Sequence, residues 1–148
     1  MKHIKIFEEF DKNNYDLDGI KSCFVELEDE NFHIEIEVGY LKFVRHAKDV
    51  KNGIKITITK NSSSLLEPTI TITDEMKDIL EVSGDYLQDK YNLRLDYINV
   101  VTHRGSYDKN TFDSFDEIYK DLEVSCLYLH FRPTNTIDKV KTYIKSKL

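Results

Sequence analysis

Two segments of the chain alternate strictly between apolar and polar residues, and this pattern constrains the fold more than any other feature. In Phe32–Val38 every second residue is apolar, and in Ile54–Lys60 isoleucine alternates with threonine and lysine. Alternation with a period of two is typical of a strand that has one face against a core and the other toward water. Strands of this kind belong to antiparallel sheets. The sequence therefore predicts a mainly antiparallel sheet with one covered face.

Three other segments are predicted to be strands: Ile20–Glu28, Leu93–His103 and Val124–Arg132. Their inward residues are predicted to be Cys23, Val25 and Leu27 in the first, Leu93, Leu95, Tyr97 and Val101 in the second, and Leu127, Leu129 and Phe131 in the third. Lys51-Asn52-Gly53 predicts a tight reversal before the strand at Ile54, because Asn-Gly favours such turns. The chain thus offers about five strands.

Helical spacing takes over after Thr73, which is a good N-cap residue. Apolar residues follow at intervals of three and four, so Asp74–Tyr91 is predicted to be a helix that Gly84 weakens by about 1 kcal/mol. Shorter helices are predicted at Asp113–Leu122 and from about Ile137 to Lys147. The predicted order is β-β-β-α-β-(α)-β-α. It indicates an α+β fold in which two to three helices pack on one face of the sheet.

The 148 residues of the chain are enough for about one domain. Ile4–Phe10 is predicted to be a short helix, and the polar run Asp11–Gly19 a linker. We therefore expect residues 1–19 to form a leader and residues 20–148 to form the α+β domain.

Charge and residue usage exclude several classes of protein. The formal net charge of −6 argues against nucleic-acid binding by bulk electrostatics. No stretch approaches about 18 consecutive apolar residues, and no apolar segment follows the basic start, so neither a membrane span nor a secretory signal is predicted. Cys23 and Cys126 are predicted to be free thiols, and neither a metal nor another cofactor is expected.

The polar face of the sheet carries the first candidates for chemistry. Glu35, Glu37, His130 and Arg132 would share this face, where Glu as base, His as acid and Arg as anion ligand suit work on a phosphodiester. His103-Arg104, at another strand end, would extend the set. The competing interpretation is a solvated face with ordinary cross-strand ion pairs. Neither histidine is followed by the His-x-Thr or His-x-Ser pattern of phosphoesterases with paired histidine motifs.

The first ten residues, Met1–Phe10, resemble the openings of small tailed-phage proteins of the T-even-like and crAss-like kinds. In T-even-like phages such a leader can direct a protein into the capsid, and a prohead protease cuts after a Leu/Ile-x-Glu pattern that Ile6-Phe7-Glu8 fits. The resemblance implies a phage origin and packaging, and it implies no biochemical activity. With that origin, the expected location is the cytoplasm of a host cell or a virion. The rest of the chain resembles no family.

The acidic balance favours a non-catalytic protein that binds a protein partner, either a host enzyme that it inhibits or a phage structural protein. The residues expected to bind are apolar ones in the leader and acidic ones in the body: Ile4, Ile6, Phe7, Phe10, Glu26, Glu28, Asp29 and Glu30. A small phosphodiester- or phosphate-active enzyme is the alternative. A homo-oligomer formed through the edge of Phe32–Val38 or through the leader helix is a third hypothesis.

Overall fold

A computed structural model describes residues 15–42, 48–61, 69–102 and 110–134. The helices in these ranges are α1 (Leu17–Ser22), α2 (Val25–Asp29), α3 (Asp74–Tyr91) and a 3-10 helix, η1 (Phe115–Glu117). The strands are β1 (Phe32–Lys42), β2 (Lys48–Lys60), β3 (Ile70–Ile72), β4 (Leu93–Val101), β5 (Thr111–Phe112), β6 (Leu122–Val124) and β7 (Cys126–Pro133). The predicted Ile4–Phe10 helix, the predicted C-terminal helix and the candidate residues His103 and Arg104 lie outside the described residues.

The main sheet has five strands in the order β1-β2-β7-β4-β5, and every neighbouring pair is antiparallel. β3 and β6 form a separate two-stranded antiparallel sheet. One core joins Ile56, Leu129 and Phe131 of the main sheet to Ile20 and Leu80 of the helices. The predicted α+β class, with a mainly antiparallel sheet of about five strands, is confirmed. No helix in the described ranges combines the length and the apolar character needed to span a membrane.

The predicted strand Ile20–Glu28 is wrong, because this segment forms parts of α1 and α2. Asp16 caps α1 by accepting a hydrogen bond from the Gly19 backbone at 3.0 Å. The buried residues are Ile20, Phe24 and Leu27, at the spacing of a helix, whereas Val25 is exposed. The segment is so short that its apolar residues also fit the two-residue period of a strand, through Cys23, Val25 and Leu27. In the structure, the residues at helical spacing are the ones buried in the core.

Helix α3 has the predicted bounds, and Thr73 caps it by accepting a hydrogen bond from the Met76 backbone at 3.2 Å. The helix ends at Asn92, whose φ of 57° lies in the left-handed region. Its buried residues are Met76, Leu80, Ser83 and Leu87.

Replacing Gly84 with alanine is expected to stabilise the protein. A Cβ at this position would lie 3.9 Å from the Phe131 ring and 4.0 Å from the Phe115 ring, which is ordinary van der Waals contact. Alanine also restricts the unfolded chain and favours the helix, so we expect a gain of about 0.5–1 kcal/mol. Urea unfolding measured beside the wild type tests this. A loss of stability would mean that α3 packs closer to the sheet than described.

The predicted reversal at Lys51-Asn52-Gly53 is wrong, because all three residues lie inside β2. Gly53 is buried, and the ring of Tyr40 on β1 lies over it: a Cβ here would collide with that ring and would lie only 2.9 Å from the Phe131 carbonyl oxygen. A glycine inside a strand commonly marks such a close approach. The absent side chain of Gly53 therefore makes room for Tyr40.

Replacing Gly53 with alanine should have the opposite effect from the change at Gly84. The added methyl group must displace the Tyr40 ring or the β7 backbone, and overpacking of this kind costs about 1–3 kcal/mol. Urea unfolding of both glycine variants tests the pair. If Gly53→Ala were as stable as the wild type or more stable, the close contact at Gly53 would be refuted.

The predicted inward face of β4 is correct at Leu93 and wrong from Tyr97 onward. The register with β7 shifts between Leu95 and Tyr97, so that Asp96 is an extra residue, a β-bulge. Beyond the bulge Ile98 and Val100 enter the core, while Tyr97 moves to the opposite face. Strict alternation cannot predict this change of face.

The segment after β5 also differs from its prediction. Only Phe115–Glu117 is helical, as a single 3-10 turn, although Phe115, Ile118 and Leu122 are buried as apolar residues of a helix would be. Asp121, with a φ of 54°, ends the turn before β6. The predicted strand Val124–Arg132 is interrupted at Ser125. Its inward residues are confirmed as Leu127, Leu129 and Phe131.

Candidate functional site

The face of the main sheet opposite the core brings several of the predicted polar residues into rows across the strands. Glu37 on β1 pairs with Lys55 on β2, Lys55 pairs with His130 on β7, and His130 pairs with Tyr97 on β4. The next row contains Glu35, Thr57, Tyr128 and Asn99. The strand order, which the sequence left open, thus sets Glu37 two strands away from His130.

A pocket of about 420 Å³ opens on this face, and we call it the sheet pocket. Its lining residues are Glu37, Gly39, Tyr40, Lys55, Tyr97, Asn99, Tyr128 and His130. Two irregularities shape it. The bulge at Asp96 lies beside it on β4, and a register shift between Val38 and Tyr40 lies on β1, where Gly39 has a φ of 89°. Bulges are frequent next to functional sites, because they redirect side chains.

His130 forms the floor of the sheet pocket and is only 5% exposed. Its ring stacks on Tyr97, with the ring centroids 4.0 Å apart and the planes 9° apart, and meets Tyr40 edge-on at 4.9 Å. Burial, and then the Lys55 ammonium, lower the pKa of His130 to about 4. Its Nδ1 is buried without a hydrogen-bond partner among the described residues. His130 is therefore a neutral ring at neutral pH.

A hydrogen bond to Asp96 holds the Tyr40 ring in place. Its hydroxyl donates a 2.9 Å hydrogen bond to Oδ2 of Asp96, and Nε of Arg132 lies 4.0 Å from the other carboxylate oxygen. Burial and the Asp96 carboxylate raise the pKa of Tyr40 well above its usual range, so that the phenol stays protonated. Sequence reasoning missed Tyr40, Tyr97 and Asp96 as members of one cluster. Gly39, a glycine inside a strand pattern, was the available signal of an irregularity.

The other predicted catalytic residues do not meet in this pocket. Glu35 is exposed outside its lining and lies 3.1 Å from His33. Arg132 faces Asp96 and does not line the pocket. His103 and Arg104 lie outside the described residues. Of the predicted catalytic residues in the described part of the chain, only His130 and Glu37 line the sheet pocket. Lys55 lies on the strand between them.

A second surface lies on the helices, where a groove of about 420 Å³ separates α1 and α2 from α3; we call it the helix groove. Its lining residues are Ser22, Cys23, Glu26, Asp78, Ile79, Val82, Ser83 and Tyr86. Ser83 fixes its floor, since its hydroxyl is 2.9 Å from the carbonyl oxygens of both Cys23 and Ile79. The side chain of Val82 is 69% exposed, and Tyr86 is also exposed.

The surroundings of the helix groove are strongly acidic. The three α-helices carry ten acidic residues against three lysines. Glu26 and Asp78 line the groove. Partial burial, a hydrogen bond with Asp116 and the charges of Asp78 and Asp85 raise the pKa of Glu81, which is the effect expected where carboxylates crowd together.

Of the predicted protein-binding acids, Glu26 lines the helix groove. Glu28 and Asp29 belong to the same short helix, and Glu30 follows it. The apolar candidates of the leader, Ile4, Ile6, Phe7 and Phe10, lie outside the described residues.

Both cysteines are free and partly buried. Among the residues that the structure describes, no group of three or more histidine, cysteine or acidic side chains is placed to hold a metal ion.

No family model, curated protein or solved structure matches the chain. The sheet pocket and the helix groove are therefore the features from which a function is proposed.

Proposed function

We propose that this protein acts without catalysis, by binding a basic segment of a partner protein in the helix groove. The observation that carries the proposal is the exposure of Val82 and Tyr86 between acidic residues on both sides of the groove, Glu26 and Asp78. Apolar side chains of the partner would cover Val82 and Tyr86, and its lysine or arginine residues would meet the carboxylates. Aromatic and apolar anchors supply most of the affinity of such an interface, while complementary charge supplies specificity and speed of association.

The groove is also suited to binding because it is preformed. The Ser83 hydroxyl connects α3 to the carbonyl at the α1–α2 junction, so the two walls are held together before a partner arrives. A rigid site loses less conformational freedom on association than a mobile one. The N-terminal likeness to small tailed-phage proteins supports the further proposal that the protein is a viral accessory protein. The acidic surroundings of the groove, and not that likeness, favour a host enzyme with a basic surface as the partner.

The enzymatic alternative has less support. It requires a histidine that donates a proton, but His130, the described member of the two candidates, has a pKa of about 4 and holds no extra proton at neutral pH. Arg132, the described arginine of the set, lies beside the Asp96 carboxylate. We therefore favour binding over catalysis.

Photo-crosslinking in host cells tests the proposal directly. A photoreactive amino acid at Val82 should give a discrete covalent adduct with one partner. The matched control is Val101, which is 41% exposed and lies on β4, away from the helix groove. An adduct formed at Val101 and not at Val82 would place the partner elsewhere and overturn the proposal.

Affinity measurements with the captured partner separate the apolar and the charged contributions. Val82→Ser and Tyr86→Ser should each weaken binding by about tenfold or more, as expected for anchor residues.

The double charge reversal Glu26→Lys/Asp78→Lys should slow association with the partner and reduce the salt dependence of the association rate. Asp113→Lys/Glu123→Lys makes the same change of net charge outside the groove, and it should have little effect. Equal effects of the two reversals would show that only net charge matters, and would contradict a groove-specific partner.

A further inference from the structure

We propose that the sheet pocket is a second binding site, for a small neutral heteroaromatic molecule of the purine or pteridine class. This site lies on the opposite face of the sheet from the helices, and the proposal does not depend on the helix groove. It rests on three features of the pocket: a rigid aromatic floor, an acidic and a basic residue on its rim, and a buried nitrogen without a hydrogen-bond partner among the described residues.

The floor is fixed before any ligand binds. Tyr97 and His130 stack in parallel, Tyr40 closes the cluster edge-on, and all three rings are buried. The hydrogen bond from Tyr40 to Asp96 holds the third ring in place. Preformed clefts with aromatic walls and a few convergent polar groups are the usual form of small-molecule sites. A flat ring is the shape that such a floor accommodates with least rearrangement.

The rim determines which flat ring fits. Glu37 and Lys55 are direct cross-strand partners and both line the pocket, so the rim carries one acidic and one basic residue on neighbouring strands. Nζ of Lys55 lies 4.7 Å from the centre of the Tyr128 ring, and the amide of Asn99 lines the same pocket. A polyanion would be repelled by Glu37 and a polycation by Lys55. The rim therefore favours a neutral molecule that presents N–H donors beside a carbonyl acceptor on one edge, as guanine does.

His130 gives independent support. Its Nδ1 is buried and has no hydrogen-bond partner in the described part of the chain. Buried polar atoms are almost always paired, and an exception calls for an explanation such as a missing ligand or water. Nδ1 is closed to water as the rings stand, so a polar ring on the pocket floor would pair with it only after a small shift of the neighbouring rings. The acidic net charge of the chain argues that the ligand is a free base or nucleoside and not a nucleic-acid strand.

Titration calorimetry of the full-length protein with guanosine tests the proposal. We expect saturable binding, and a loss of affinity of about tenfold or more for both Glu37→Gln and Lys55→Met. Glu35→Gln and Lys60→Met are the matched controls, since they make the same changes on the same two strands outside the pocket lining, and each should alter affinity by less than about twofold. Adenosine, whose base edge presents a different order of donors and acceptors, should bind about tenfold more weakly.

The opposite results are equally clear. Absence of guanosine binding up to about 5 mM would overturn the proposal. A dissociation constant above that value is too weak to indicate a specific site. So would losses of affinity as large in the controls as in the pocket variants, since binding would then not depend on the Glu37–Lys55 pair. Neither result bears on the helix groove, which the crosslinking at Val82 tests separately.

Discussion

Replacing His130 with phenylalanine is expected to make the free energy of unfolding less dependent on pH between 6.5 and about 4. The pKa of His130 is about 4 in the folded protein, against an ordinary value of 6.5. Between these values the unfolded chain binds a proton that the native protein does not bind, so native stability falls as the pH decreases from 6.5 toward 4. The difference in pKa corresponds to about 3 kcal/mol at the acid end. Phenylalanine cannot be protonated, and its ring can still stack on Tyr97.

Urea unfolding at several pH values across this interval measures the effect. The wild-type and His130→Phe curves should diverge as the pH falls, with the variant the more stable. At neutral pH the variant should be at least as stable as the wild type, because it lacks an Nδ1 that is buried without a hydrogen-bond partner among the described residues. Parallel curves for wild type and His130→Phe would refute the burial of a neutral imidazole.

Replacing Phe131 with alanine should cause the largest loss of stability of any change considered for this protein. Phe131 is fully buried on the central strand β7, and its backbone pairs with both β2 and β4. Its ring also faces Gly84 of α3, so it connects the sheet to the helix layer. Truncating a buried phenylalanine removes apolar contact and leaves a cavity, which costs about 3–5 kcal/mol. Equilibrium unfolding in urea measures this cost.

The control for Phe131→Ala is a truncation on the exposed face of the helix that it contacts. Val82→Ala should change the free energy of unfolding by about 0.5 kcal/mol or less, because its side chain is largely exposed. A cost below about 1 kcal/mol for Phe131→Ala would mean that the sheet and α3 are not joined through this ring.

The elements that the sequence predicted well are those in which one period continues without interruption. Alternation in Phe32–Val38 and Ile54–Lys60 identified β1 and β2, and the cap at Thr73 with the spacing that follows identified α3. The failures have physical causes. The segment from Ile20 is too short for its spacing to separate helix from strand. Gly53 was assigned to a turn because the cross-strand ring of Tyr40, which requires a glycine there, lies outside any local window.

The candidate site was predictable only in part, for a related reason. Alternation was sufficient to assign Glu37, Lys55 and His130 to one face, and the strand order then brought them into one row. Tyr97 joins them only because β4 contains one extra residue, and Tyr40 because β1 shifts register at Gly39. A bulge results from pairing between distant strands, and no sequence period marks its position. The helix groove likewise depends on how α3 packs against α1 and α2.

In evolutionary terms, the bulge on β4 is an insertion that does not alter the fold. Leu95 pairs with Phe131 on the core side and Tyr97 pairs with His130 on the other side, so removing Asp96 would leave every other side chain of β4 on its present face. The extra residue contributes the carboxylate that accepts the hydrogen bond of Tyr40 and lies beside Arg132. We therefore expect proteins of common descent to differ here by one residue in length while sharing the architecture, and those that lack the residue to lack the fixed tyrosine as well.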